Sequence, residues 1–145
     1  MDLSNPVVAL CAQGMAVEGT PDEARRLFEQ AWAIRRDDLD AAIAAHFLAR
    51  HQSTEDATLH WNALAVEHAE AVTDGRSAEL LASLYLNLGD SHARLGQRAS
   101  ALAAARRAAE HLVTLPPGGY RDFIATGIDR LTQRLDTAQD SDQAS

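Results

Sequence analysis

The sequence has one cysteine, few aromatic residues and no long apolar run, and each scarcity excludes a class of protein. Because Cys11 is the only cysteine, no intrachain disulfide can form, which excludes a disulfide-stabilised secreted domain. Aromatic residues make up 5% of the chain, too few for a β-rich fold. No stretch approaches the roughly 20 continuous apolar residues of a membrane-spanning helix. These absences predict a cytoplasmic protein that does not enter a membrane.

Alanine, leucine and arginine dominate what the chain does contain. The 145 residues include 29 alanines and 18 leucines, and all 13 basic residues are arginines. Alanine and leucine favour helices, so the composition predicts an all-α fold. The formal net charge is −8, which on average repels nucleic-acid phosphates and anionic membrane surfaces. We therefore expect neither a nucleic-acid partner nor a membrane partner.

Capping residues and helix breakers divide the chain into seven predicted helices. Thr20, Pro21 and Glu23 are typical of a capping box with proline in the first turn, and Asn5, Asp37 and Thr54 are further candidate caps. Gly96 and the proline-glycine cluster at 116–119 are predicted stops. The predicted helices cover about 5–18, 21–35, 38–51, 54–72, 77–95, 97–114 and 120–137. The polar stretch 138–145 has no apolar periodicity and is predicted to be a disordered tail.

Small residues recur at a fixed distance along the chain, which indicates an internal repeat. The members of the first copy lie 77 positions before those of the last: Gly19, Ala24, Phe28 and Ala31 recur as Gly96, Ala101, Ala105 and Ala108. A degenerate middle copy has the same four-then-three spacing in Ala57, Trp61 and Leu64. A helix hairpin cannot bury its own apolar stripe, and small residues let neighbouring hairpins approach closely. The repeat therefore predicts antiparallel helix hairpins stacked on one another.

This pattern resembles the tetratricopeptide repeat family, whose period is about 34 residues. The last copy matches the family's aromatic, Leu-Gly, turn-glycine and alanine positions with Tyr85, Leu88, Gly89, Gly96, Ala101 and Ala108. His92 and Ala105 stand where the family usually has aromatic residues. The resemblance implies one right-handed superhelical domain at 1–137, with repeats at 5–38, 38–81 and 82–115 and a capping helix at 120–137. Phe123 and Gly127 would repeat the step from Tyr85 to Gly89 in that last helix.

The resemblance also implies a function, because the first helices of such hairpins form a concave face. We expect a non-enzymatic scaffold that binds a protein or peptide there, with an acidic group of the partner held bidentately by Arg50 or Arg94. The repeat register assigns nine residues to this groove: Gln13, His46, Arg50, Leu86, Asn87, Asp90, Arg94, Ile124 and Ile128. Asp90 and Arg94 can equally be an ordinary surface pair one turn apart.

Two other functions stay open at this point. One is a regulatory module that encloses a small ligand or a signalling peptide, and the other is a structural homodimer whose groove is filled by its twin. An enzyme is not expected, because the chain has no Gly-rich strand-to-helix loop and no Gly-x-Ser-x-Gly elbow. Cys11, Trp32 and Trp61 are predicted to be packing residues. No two histidines have the helical spacing of metal ligands, so we expect neither a metal nor a cofactor.

Overall fold

The computed structural model describes the backbone of residues 2–144 and the side chains of residues 2–138. Over that part of the chain it contains seven α-helices and no strand, so the predicted all-α fold with about seven helices is confirmed. The helices are α1 (Pro6–Ala16), α2 (Pro21–Ala33), α3 (Asp38–Leu48), α4 (Glu55–Ala71), α5 (Ala78–Arg94), α6 (Arg98–Leu112) and α7 (Gly119–Ala144). A single 3-10 turn, Ala49–His51, follows α3 directly.

Three of the predicted caps form hydrogen bonds to the first turns of their helices. The side chain of Asn5 accepts from the backbone N–H of Val7, that of Asp37 from Asp40, and that of Thr54 from Ala57. These bonds satisfy N–H groups that have no partner inside a helix.

The capping box predicted at Thr20 does not form. The side chain of Thr20 makes no capping hydrogen bond, and its backbone carbonyl accepts from the N–H groups of Glu23 and Ala24 instead. The first turn of α2 is therefore stabilised by Pro21 and by backbone hydrogen bonds, without a side-chain cap.

The turn between α5 and α6 is short because it is built on a glycine. Gly96 has a φ of 74°, a left-handed conformation that glycine adopts without strain. The N–H of Gln97 donates to the carbonyl of His92 at 2.9 Å, and that of Gly96 donates to Ala93 at 3.1 Å. This is the Schellman arrangement, which satisfies the last carbonyls of α5 and allows α6 to begin at Arg98.

The chain divides into two compact units, of which the first comprises residues 2–77. In it α1 pairs with α2 and α3 pairs with α4, while α3 also packs against α1 and α2. The core of the first three helices is built on these buried residues: Val7, Cys11, Ala24, Phe28, Ala31, Ala44, Phe47 and Leu48. Gly14 lies against the ring of Phe28 so closely that a β-carbon there would collide with it.

The second unit comprises residues 78–144. Helices α5 and α6 form a hairpin, and α7 packs against both of them. Its core holds small residues of the hairpin, Leu115 from the segment between α6 and α7, and large aliphatic residues of α7: Ala82, Ala101, Ala105, Ala108, Ile124, Ile128, Leu131 and Leu135. Gly89 of α5 leaves room for Leu131, whose Cδ2 lies 2.8 Å from where a β-carbon would be.

Helix α7 runs to Ala144, past its predicted end at residue 137. Ser145 and the side chains after residue 138 lie outside the described residues, so the disordered tail at 138–145 stays a prediction. Within the part of the chain that is described, no helix combines the length and the apolar character needed to cross a bilayer.

Candidate functional site

A cleft of about 700 Å³ opens in the second unit between α5 and α7. We call it the α5–α7 cleft, and it is lined by Leu86, Asn87 and Asp90 of α5 and by Gly119, Asp122, Phe123, Thr126, Gly127, Arg130 and Arg134 of α7. Its volume lies in the range of small-molecule and short-peptide sites. The lining residues of α7 recur every three to four positions, so they share one face of the helix.

The end of this cleft near the start of α7 is apolar. The ring of Phe123 is 74% exposed and lines the cleft. Leu86 is half-buried and lies against Gly127, where a β-carbon would come within 2.6 Å of its Cδ2. One turn before Phe123, Tyr120 is half-exposed and its hydroxyl donates to the carbonyl of Glu79 at 3.2 Å. This end therefore presents a ring and an aliphatic side chain to a ligand.

The other end of the α5–α7 cleft carries arginines. The Asp90 carboxylate is held between two of them: Arg134 Nη2 lies 2.6 Å from Oδ1, and Arg94 Nε lies 2.8 Å from Oδ2. Arg130 is exposed and makes no ion pair with any residue whose side chain is described. Partial burial alone would raise the pKa of Asp90, but the hydrogen bonds from Arg134 and Arg94 outweigh it, so the pKa is lowered. Asp90 is therefore ionised at neutral pH, and Arg130 is the guanidinium open to a ligand.

Four of the residues predicted for the groove meet at this place. Leu86, Asn87 and Asp90 line the cleft, and Arg94 adjoins it through its ion pair with Asp90. Leu86, Asp90 and Arg94 follow one another at four-residue intervals, which places them on one face of α5.

The predicted exposure of Ile124 and Ile128 is wrong. These side chains are 3% and 8% exposed and belong to the core with Ala82, Ala108 and Leu115. The apolar stripe of α7 is continued by Leu131 and Leu135, which sets the rotation of the helix on α5 and α6.

Phe123, Arg130 and Arg134 are among the cleft residues that the sequence did not predict. The repeat register aligned Phe123 with Tyr85, which is partly buried against the core of the second unit, whereas the ring of Phe123 is exposed. The pattern that could have found them is the spacing of Phe123, Arg130 and Arg134 at 0, 7 and 11 positions, which places them on one helix face.

The remaining predicted groove residues lie in the first unit. Gln13 is exposed on α1. Burial, followed by the charge of Arg50, lowers the pKa of His46 to about 4, so this imidazole is neutral at pH 7. The guanidinium of Arg50 is not open, because Nη2 lies 3.1 Å from Glu18 Oε2. His51 Nε2 lies 2.8 Å from the same oxygen. His46 and Arg50 therefore belong to a cluster centred on Glu18, which is separate in the chain from the residues of the α5–α7 cleft.

The residues predicted to pack do so. The rings of Trp32 and Trp61 are 5.0 Å apart in an edge-to-face arrangement, and both are partly buried against the core of the first unit. Cys11 is fully buried, and burial raises the pKa of its thiol to about 12, which leaves no thiolate at neutral pH. Among the described side chains, no group of three or more His, Cys, Asp or Glu could hold a metal ion.

The comparisons with known proteins add no family to this geometry. No family model matches the chain, and neither a curated protein nor a solved structure matches it.

Proposed function

We propose that this protein is a non-enzymatic binding module built from tetratricopeptide-like helix hairpins, and that the α5–α7 cleft takes a short peptide segment of a protein partner. The observation that carries the proposal is that one cleft combines an exposed phenylalanine, Phe123, with an open guanidinium, Arg130. A ring and an arginine in one concave site are the features that peptide-binding surfaces use as anchors.

The packing of both units supports the fold in this proposal. In the first unit α3 packs on both helices of the α1–α2 hairpin, and in the second α7 packs on both helices of the α5–α6 hairpin. Helix repeats stack in this way, because each hairpin needs the next helix to cover its apolar stripe.

The length of the cleft favours an extended peptide. At about 1.5 Å per residue of helix, Arg130 lies about 10 Å and Arg134 about 16 Å along α7 from Phe123. An extended chain advances about 3.3 Å per residue, so an apolar side chain and an acidic group three to five residues apart would reach both ends. Five extended residues occupy about 800 Å³ at the spacings of strands and sheets. That volume is close to the cleft volume of about 700 Å³, whereas a helix that spans the same distance of about 16 Å along α7 needs roughly 1,200 Å³ or more.

A labelled peptide tests the proposal. The probe has five residues, with leucine first, aspartate last, serine between them and an amidated C-terminus, and its binding is followed by fluorescence anisotropy. We expect the replacement Arg130→Ala to weaken binding about tenfold or more, because a charge-assisted hydrogen bond contributes about 1.5–3 kcal/mol.

The matched control is Arg106→Ala, which removes another exposed arginine of the same unit, on α6. Arg106→Ala should leave the affinity within about twofold of that of the unchanged protein. Both variants should keep the melting temperature of the unchanged protein. Equal loss in the two variants, or equal binding of a probe with asparagine in place of aspartate, would contradict the proposal.

The volume of the cleft also supports a second function, a regulatory module for a small ligand. A volume of about 700 Å³ accommodates a drug-sized molecule. Competition separates the two functions: an N-acetylated leucyl-aspartate dipeptide that displaces the five-residue probe at equal concentration would favour the small ligand, since it spans too little of α7 to reach both anchors.

A further inference from the structure

We propose that Asp90 sets the charge of the ligand: its carboxylate occupies Arg94 and Arg134, so the α5–α7 cleft accepts a peptide with a single carboxylate and disfavours one with a doubly charged phosphoryl group. This inference rests on the proposed peptide-binding function and assigns a specificity-determining residue within it.

The contacts of Asp90 distinguish it from an ordinary surface carboxylate. Each of its two oxygens is bound by a different arginine, Oδ1 by Arg134 of α7 and Oδ2 by Arg94 of α5. Its side chain is 34% exposed, whereas both arginines are 54% exposed. The carboxylate thus sits between the two helices in the position that an anionic group of a ligand would take.

The charges around the cleft determine what it can neutralise. Of the guanidinium groups at the arginine end, those of Arg94 and Arg134 are bound to Asp90, whereas that of Arg130 has no ion pair with a described side chain. A single carboxylate of a ligand can therefore pair with Arg130 while Asp90 keeps its own partners. A phosphoryl group carries about −1.5 to −2 charge at pH 7, so it would leave an excess of negative charge beside Asp90 in a chain whose net charge is already −8.

Removing the charge of Asp90 should shift the preference of the cleft from a carboxylate peptide towards a phosphorylated peptide. In Asp90→Asn the guanidinium of Arg134 loses its carboxylate partner, and together with Arg130, one turn away on α7, it can bind phosphoryl oxygens bidentately. The variant should fold, because ion pairs between exposed side chains contribute little to stability.

The test measures two peptides against four proteins: the unchanged protein, Asp90→Asn, Asp122→Asn and Asp90→Ser. The peptides are the five-residue probe ending in aspartate and the same peptide ending in phosphoserine. The unchanged protein should bind the aspartate peptide more tightly. In Asp90→Asn the phosphoserine peptide should gain about tenfold in affinity, and the aspartate peptide should gain less, because its single charge interacts more weakly with the released guanidinium.

The third protein, Asp122→Asn, removes an equal charge from a residue of the same cleft. Asp122 has no ion pair with a described residue, so the variant Asp122→Asn controls for long-range electrostatics. The variant should raise the phosphoserine affinity by less than about threefold. Asp90→Ser is a second variant, and the melting temperatures confirm that each protein is folded.

Each outcome decides between the two proposals. If the unchanged protein binds the aspartate peptide but Asp90→Asn and Asp90→Ser gain no affinity for phosphoserine, the role of Asp90 is overturned and peptide binding stands. The same holds if Asp122→Asn gains as much as Asp90→Asn. If none of the proteins binds either peptide, the peptide-binding function fails and the role of Asp90 fails with it.

Discussion

Each unit contains a helix hairpin and a following helix in the same order. Within each unit, different side chains fill the space between the hairpin and the following helix. In the first unit the large side chain belongs to the hairpin: Phe28 of α2 is fully buried and stacks on Phe47 of α3 at 5.2 Å. The residue 77 positions later is Ala105, so the second unit has no ring at this place. There the following helix supplies the volume, with Leu131 of α7 placed against Gly89. The same packing can thus be completed from either side, provided that a glycine faces the large side chain.

Each unit also contains a carboxylate that two other side chains bind, and the two carboxylates differ in how deeply they are buried. Asp40 of the first unit is 1% exposed and accepts hydrogen bonds from Asn5 and Arg36. Asp90 of the second unit is also bound by two side chains, but it remains accessible. We interpret the buried carboxylate as a structural group and the accessible one as a group that a ligand meets.

The largest effect should follow from removing the buried ring of Phe28, which has no counterpart at Ala105 of the second unit. Phe28→Ala leaves a cavity in a fully buried place, so the free energy of unfolding should fall by about 3–5 kcal/mol, measured by urea denaturation. Phe123→Ala in the second unit removes an exposed ring and should change it by less than about 0.5 kcal/mol. A loss below about 1 kcal/mol in Phe28→Ala would show that the core does not depend on this ring.

The two carboxylates should respond differently to neutralisation. Asp40→Asn should cost about 2 kcal/mol, because it disturbs charged hydrogen bonds in a buried place, whereas Asp90→Asn should cost less than about 1 kcal/mol. Burial raises the pKa of Asp40, but hydrogen bonds from Asn5 and Arg36 outweigh it and lower the pKa below its ordinary value of 3.8. The folded state therefore binds the proton more weakly than the unfolded state does, and the stabilisation is complete above about pH 4.

As the pH falls below this value, Asp40 becomes protonated and its stabilisation disappears. The difference between the unchanged protein and Asp40→Asn should therefore shrink as the pH is lowered from 5 towards 2, measured by thermal unfolding. A difference that stays constant over this range would show that the carboxylate charge is not what stabilises α1 against α3.

The smallest effect should distinguish the glycines of the two units. Alanine at Gly14 would collide with the rigid ring of Phe28, and we expect a net loss of about 1 kcal/mol after the gain in helix propensity. Alanine at Gly127 meets only the end of the flexible Leu86 side chain, so the unfolding free energy should stay within about 0.5 kcal/mol. If the two variants lost the same unfolding free energy, it would not matter whether the new methyl group meets an aromatic ring or a flexible aliphatic side chain.

Local sequence features predicted the helices well, because the caps and the glycine turn act over a few residues. Asn5, Asp37, Thr54 and Gly96 all perform the predicted task. The rotation of α7 could not be predicted in the same way, since Phe123 and Ile124 are adjacent apolar residues and only packing against two other helices decides which one is buried. The ion pair between Arg134 and Asp90 joins residues 44 positions apart, and no local pattern reports it.

The short glycine turn between α5 and α6 has a consequence for the order in which the second unit assembles. The contacts of this hairpin join residues that are close in sequence, so they cost little loop-closure entropy and can form early in folding. Helix α7 can dock afterwards, and its docking creates the α5–α7 cleft. A ligand in the α5–α7 cleft therefore binds only the docked state, and it should slow the detachment of α7 and increase its protection from hydrogen exchange in proportion to ligand concentration.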